Sequence, residues 1–230
     1  MFDVVKVLHI IGGFFALFTF LIPVVTRKGG KVHRLAGWVY TAGMGIVAIS
    51  AFYMGAARLV DPESSPELIS FSVFLLFIAV LSSSTAWYGL RVLKFKKRLV
   101  VHRHAVDLGF SFALLLSAAA TSIYGFMIGS SLLSWFPVVG IALAFVQLNY
   151  WLRKPDERMH WWYEHLGGML GCSISTITAF TVFGAPRLLN IESVSLLLWF
   201  LPTILLTPVI IGMTVYYKKK FSARSVSSAA

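Results

Sequence analysis

The stretch DVVKVLHIIGGFFALFTFLIPVVTRKGGKVHRLAGWVY, Asp3–Tyr40, decides the fold. It opens with an apolar run, Asp3–Val25. A hydrocarbon core about 30 Å thick takes roughly 20 helical residues to cross, and this run supplies them. A turn carrying Arg27, Lys28, Lys31 and Arg34 follows, and a second apolar run starts at Leu35. The positive charges come after the first run instead of before it, and no small-residue cleavage site ends it. The run therefore reads as a retained membrane helix and not as a signal peptide.

The same alternation continues down the chain. Further spans are predicted over Leu35–Ala57, Leu68–Leu93, Ala105–Gly129, Leu132–Leu152, Trp162–Phe183 and Val194–Tyr217. Only 13% of the 230 residues are charged, against about 25% in a soluble domain, and no connection is long enough for a separate domain. No run shows the alternation of a membrane barrel. The expected fold is all-α: one polytopic membrane helical bundle of seven transmembrane helices over residues 1–221. Residues 222–230, small and polar, are expected to form a disordered tail.

The net charge is +11, and its distribution gives the expected orientation. Of the 20 basic residues, all but Lys6, Arg58 and Arg187 lie in or beside the connections after the first, third and fifth spans or beyond the seventh. The positive-inside rule then puts the N-terminus outside and the C-terminus in the cytoplasm of a cytoplasmic (inner) membrane. The basic rim is matched to anionic lipid headgroups, with no nucleic-acid partner. The single cysteine, Cys172, excludes an intrachain disulfide.

Three turns end in related words: KVHRLAGWVY (Lys31–Tyr40), VVHRHAVDLGF (Val100–Phe110) and RMHWWYEHLGG (Arg158–Gly168). Aligning His33, His102 and His160 puts Trp38, Asp107 and His165 in one column. This predicts three related hairpins, 1–57, 68–129 and 132–183, with a seventh helix, 194–217, unpaired.

Those words hold five of the six histidines: His33, His102, His104, His160 and His165. Ionisable groups at membrane depth are expensive and tend to be functional. Helical periodicity puts His104, Asp107 and Ser111 on one face, and His165, Gly168, Cys172 and Thr176 on another. His160 and Glu164 share a neighbouring face, and His33, Gly37, Tyr40 and Thr41 align on the second helix. Ser82–Thr85, Tyr88, Gln147 and Asn149 add to what reads as a polar half-cavity at the cytoplasmic end, beneath an apolar outer half.

Two chemistries fit that half-cavity. A divalent metal such as Zn takes His and carboxylate ligands, for which His104, Asp107 and His165 are the candidates. A haem b needs two axial histidines, for which His33, His104 and His165 are the candidates. Tyr40, Glu164, His102 and His160 are further polar groups there. The competing structural reading has these histidines cap helix ends or touch headgroups, with Asp107 paired to an arginine. His9 stands apart, near the outer end of the first helix. Gly12, Gly13 and Ala16 on its side admit a close neighbour, and His9 is expected to hydrogen-bond to that helix. The tryptophans Trp38, Trp87, Trp151, Trp161 and Trp162 read as an interfacial belt, and Gly167–Gly168 as a packing pair. No Walker, HExxH, GxSxG or CxxC motif is present, so enzymatic activity is left open.

HIIGGFFALFTFLIP followed by KVHRLAGWVYTAGM resembles the opening of the domain-of-unknown-function 2306 family of bacterial membrane proteins. VHRHAVDLGFSFAL is similar to that family's later His-Arg segment. The matching positions are His9, His33, Arg34, Gly37, Tyr40, His102 and Arg103, within roughly the first 130 residues. Asp107 departs from the pattern, which has a bulky apolar residue there. The resemblance implies a membrane protein of about seven helices and no particular activity. From the residues, the leading expectation is a His-ligated metal or b-haem site serving electron transfer with a membrane redox partner. The alternatives are a proton-coupled small-molecule transporter and a non-catalytic assembly or lipid-interaction protein.

Overall fold

Away from water every backbone N–H and C=O must be satisfied internally, and a helix does this within one segment. The computed structural model, which describes residues 1–190 and 195–227 with side chains through Ser222, accordingly contains no strand among the described residues. Among the described residues seven helices are long and apolar enough to cross a membrane: α1 Phe2–Val25, α2 Lys31–Val60, α3 Pro66–Phe95, α4 Ala105–Met127, α5 Ser131–Leu152, α6 His160–Leu189 and α7 Leu196–Ser222. The chain is a multi-pass membrane protein. Large apolar side chains such as Phe18, Leu116, Ile123 and Val209 point outward, as a lipid-facing surface requires.

The helices overrun the predicted spans at their polar ends. α2 starts at Lys31 instead of Leu35, and α6 starts at His160 instead of Trp162. Hydropathy marks where a run becomes apolar, whereas the helix begins where the turn ends, here after Gly30 and Met159. Farther along, α6 passes through a π-helical stretch at Phe180–Gly184. The predicted start of the seventh helix, Val194, lies outside the described residues. Its helix continues to Ser227, into the stretch expected as a tail; residues 228–230 and the Arg224 side chain lie outside the described ones.

α1 packs on α2, α2 on α3, α3 on α4, and α4 on α5. α6 packs mainly on α3 and α7, not on α5, its neighbour in the chain. The repeat words also meet their helices at different registers. His33 is in the first turn of α2, His160 opens α6, and His102 precedes α4.

Glycine explains the α3–α6 crossing. A Cβ on Gly168 would lie 2.6 Å from the Gly89 Cα, and one on Gly89 would lie 2.9 Å from the Met169 nitrogen. The two backbones touch because neither residue has a side chain, as small residues permit in membranes. Toward one end of the bundle Phe74, Phe77, Leu114, Phe136 and Trp199 form an apolar core. Toward the basic end buried polar groups replace it, including Ser84, Asp107, Ser111, Gln147 and His160.

Candidate functional site

At the C-terminal end of α1 the last carbonyls have no intrahelical partner. Gly29, with φ of +75°, turns the chain and brings Lys28 and His33 back onto them. Lys28 Nζ donates to the Pro23 and Val24 carbonyls, and His33 Nδ1 donates to the Pro23 carbonyl at 3.1 Å. Burial pushes the Lys28 ammonium below its ordinary range. On the opposite wall, His165 Nδ1 donates to the Gly89 carbonyl at 2.7 Å. Gly89 lies in the last α-helical turn of α3, just before Val92–Phe95 tightens into a 3-10 turn, where carbonyls lose their regular partners.

The two imidazoles therefore share one arrangement. Since a carbonyl only accepts, each Nδ1 carries the proton, and each neutral ring keeps its lone pair at Nε2. Neither Nε2 has a protein partner among the described residues. The ring centroids are 6.3 Å apart. Both rings line a cleft of about 430 Å³ with Lys28, Arg34 and Lys96 as its cations, apolar walls from Phe20, Leu93 and Met169, and Tyr40 and Ser173 deeper in. Lys96 Nζ sits 4.6 Å from the Trp161 ring centroid.

Asp107, paired on paper with His104 and His165, belongs to a different cluster. Its carboxylate has no exposed surface. It accepts from Arg91 Nε at 2.8 and 3.0 Å, from Trp87 Nε1 at 2.9 Å and from His102 Nε2 at 2.7 Å. His104 Nδ1 is farther off, at 3.7 Å, on a half-exposed side chain. His165 is not there; it faces His33. The cluster joins α3, the loop after it and α4. Nearby, the buried Arg98 guanidinium donates to the carbonyls of Val100, Tyr150 and Arg153, fixing the loop to the end of α5.

No family model, curated protein or solved structure matches the chain. Among the described residues, no three His, Cys, Asp or Glu side chains are arranged to hold a metal ion.

The remaining candidates are dispersed. His9 Nδ1 is 2.9 Å from Ser50 Oγ on α2, far along the helix from the basic end. His160 Nδ1 meets the Tyr150 hydroxyl at 2.8 Å. Tyr40 reaches Thr176 Oγ1 at 3.3 Å. Glu164 accepts from the Tyr88 hydroxyl at 2.6 Å. The polar half-cavity is thus several separate networks on either side of α6. Sequence reasoning assigned Trp87 to the interfacial belt and left Arg91, Arg98 and Lys96 as topology markers. The spacing Trp87–Arg91, one helical turn, was the available signal that both could reach one acceptor.

Proposed function

We propose that the protein is a membrane redox protein holding one b-type haem between His33 and His165. The observation carrying this reading is the pair of imidazoles whose Nδ1 atoms are tied to backbone carbonyls and whose Nε2 atoms are unpartnered in a shared cleft. Ligating histidines characteristically donate the other ring nitrogen in this way, which fixes ring orientation and raises basicity. With ring centroids 6.3 Å apart, the two imidazoles are near enough for both to hold one group in the cleft.

Haem is favoured over a bare cation on two counts. A structural or catalytic zinc takes three or four protein ligands, whereas haem completes its coordination with two histidines. Lys28, Arg34 and Lys96 would repel an isolated divalent ion, yet they suit the two carboxylates that haem carries. The bound group would supply one-electron chemistry. The chain's own residues would ligate it, pair its carboxylates and keep water from its apolar face. The proton-coupled transporter reading draws less support, because Asp107, its main titrating group, is already satisfied by three side chains.

The test is an absorption spectrum of protein purified in detergent after expression with haem supplied. A Soret band at one haem per chain that shifts on dithionite reduction is expected. His33→Ala and His165→Ala should each lose the band or shift it to that of a high-spin haem, while His104→Ala keeps the wild-type spectrum. A flat wild-type spectrum refutes the reading.

A further inference from the structure

The opposite face of α6 from His165 lines a second cavity. It has a volume of about 340 Å³ and is enclosed by α3, α5, α6 and α7. Its wall is apolar for most of its extent, with Ile78, Phe136, Leu143, Ile174 and Trp199 among the lining residues. Val146 and Ile211, also lining it, are exposed on the outer surface of α5 and α7. The cavity therefore opens between these helices toward lipid, not toward water.

Its polar lining groups include Thr85, Ser175 and Thr178 as well as two with side-chain atoms left over for a ligand, Gln147 and Glu164. Gln147 is 3% exposed, and its Oε1 accepts from Ser84 Oγ at 2.9 Å and Ser111 Oγ at 3.0 Å. That leaves the amide NH2, which has no protein partner among the described residues, as a donor to the cavity. Glu164 engages Tyr88 through Oε2, so its Oε1 remains as an acceptor. An unpaired amide donor in an apolar site costs free energy unless something occupies it. A mostly apolar pocket with a few convergent polar groups is the usual form of a small-molecule site.

We infer that this cavity binds a lipid-borne quinone or quinol, its tail leaving between α5 and α7 and its ring oxygens meeting Gln147 and Glu164. The amide NH2 matches a ring carbonyl and the carboxylate oxygen matches a ring hydroxyl, so the two sites distinguish the oxidised from the reduced ring. The choice of a redox-active ring over another hydroxylated lipophile rests on the haem reading; the binding itself rests on the cavity.

The experiment is a titration of the detergent-purified protein with a short-chain quinone, read by tryptophan fluorescence, with the matching quinol as competitor. Saturable quenching is expected, most of it lost in Trp199→Phe. Gln147→Glu keeps an acceptor for Ser84 and Ser111 but removes the donor, and should weaken the quinone at least tenfold. Glu164→Gln should weaken competition by the quinol at least tenfold. Linear, unsaturable quenching, equal affinity across the variants, or equal competition by a plain alkyl alcohol would overturn the inference. The same titration in His33→Ala separates the two proposals. Saturable binding there alongside a flat wild-type absorption spectrum would remove the haem and leave the cavity, and a Soret band without quinone binding would do the reverse.

Discussion

Removing the Asp107 carboxylate should damage the fold and spare the proposed haem site. In Asp107→Ala the Arg91 guanidinium, 17% exposed, loses its 2.8 and 3.0 Å bonds. His102 and the Trp87 indole lose their shared acceptor as well. Stranding one half of a buried ion pair costs about 3–5 kcal/mol. Each kcal/mol moves the midpoint of a chain this size by about 2–4 °C, so a fall of roughly 6–20 °C follows by the same conversion. The assay is thermal unfolding in detergent, followed by circular dichroism. Asp107→Asn retains an acceptor oxygen and should fall toward the lower end. A midpoint for Asp107→Ala within about 2 °C of wild type would refute the reasoning. So would a folded variant, held cold, that has lost its haem absorbance, because that would return Asp107 to the cofactor site.

Three further outcomes follow. Gly168→Val should prevent α3 and α6 from meeting, since even a Cβ would stand 2.6 Å from the Gly89 Cα; the check is loss of monodisperse protein on size exclusion. His9→Ala removes one partly buried hydrogen bond to Ser50 and should cost about 1 kcal/mol, with the absorption spectrum unchanged. If haem is held as proposed, Arg34→Gln combined with Lys96→Gln should leave its ligation intact but speed its loss to an acceptor protein, measured by the decay of Soret absorbance. Unchanged release would mean that the cations do not pair the haem carboxylates.

The spans were legible because bilayer thickness imposes a length that any apolar run must meet, and Asp3–Val25 meets it without tertiary information. The ends of α2 and α6 were less so, since Lys31, His33, Arg34 and His160 are polar yet helical. Faces could also be read: His104, Asp107 and Ser111 follow the helical period. Which face meets which could not. Periodicity places a residue around its own helix and says nothing of the neighbour, so His165 was grouped with His104 when α6 in fact lies against α3, beside the start of α2. That neighbour was encoded in Gly89 and Gly168: Gly168 reads as a packing residue in the sequence, but nothing there marks Gly89 as its partner. The free Nε2 atoms were invisible for a related reason, because they depend on the Pro23 and Gly89 carbonyls, and every residue in a sequence has a carbonyl.

Electron paramagnetic resonance of the protein supplied with ferric haem, at low temperature, tests the proposed pair of histidines most directly, because it would report which side chains ligate the iron. Wild type and His104→Ala are expected to give a six-coordinate low-spin signal, and His33→Ala and His165→Ala each a high-spin signal or none. A low-spin signal that survives the loss of either His33 or His165, or that disappears with His104, would contradict the assignment.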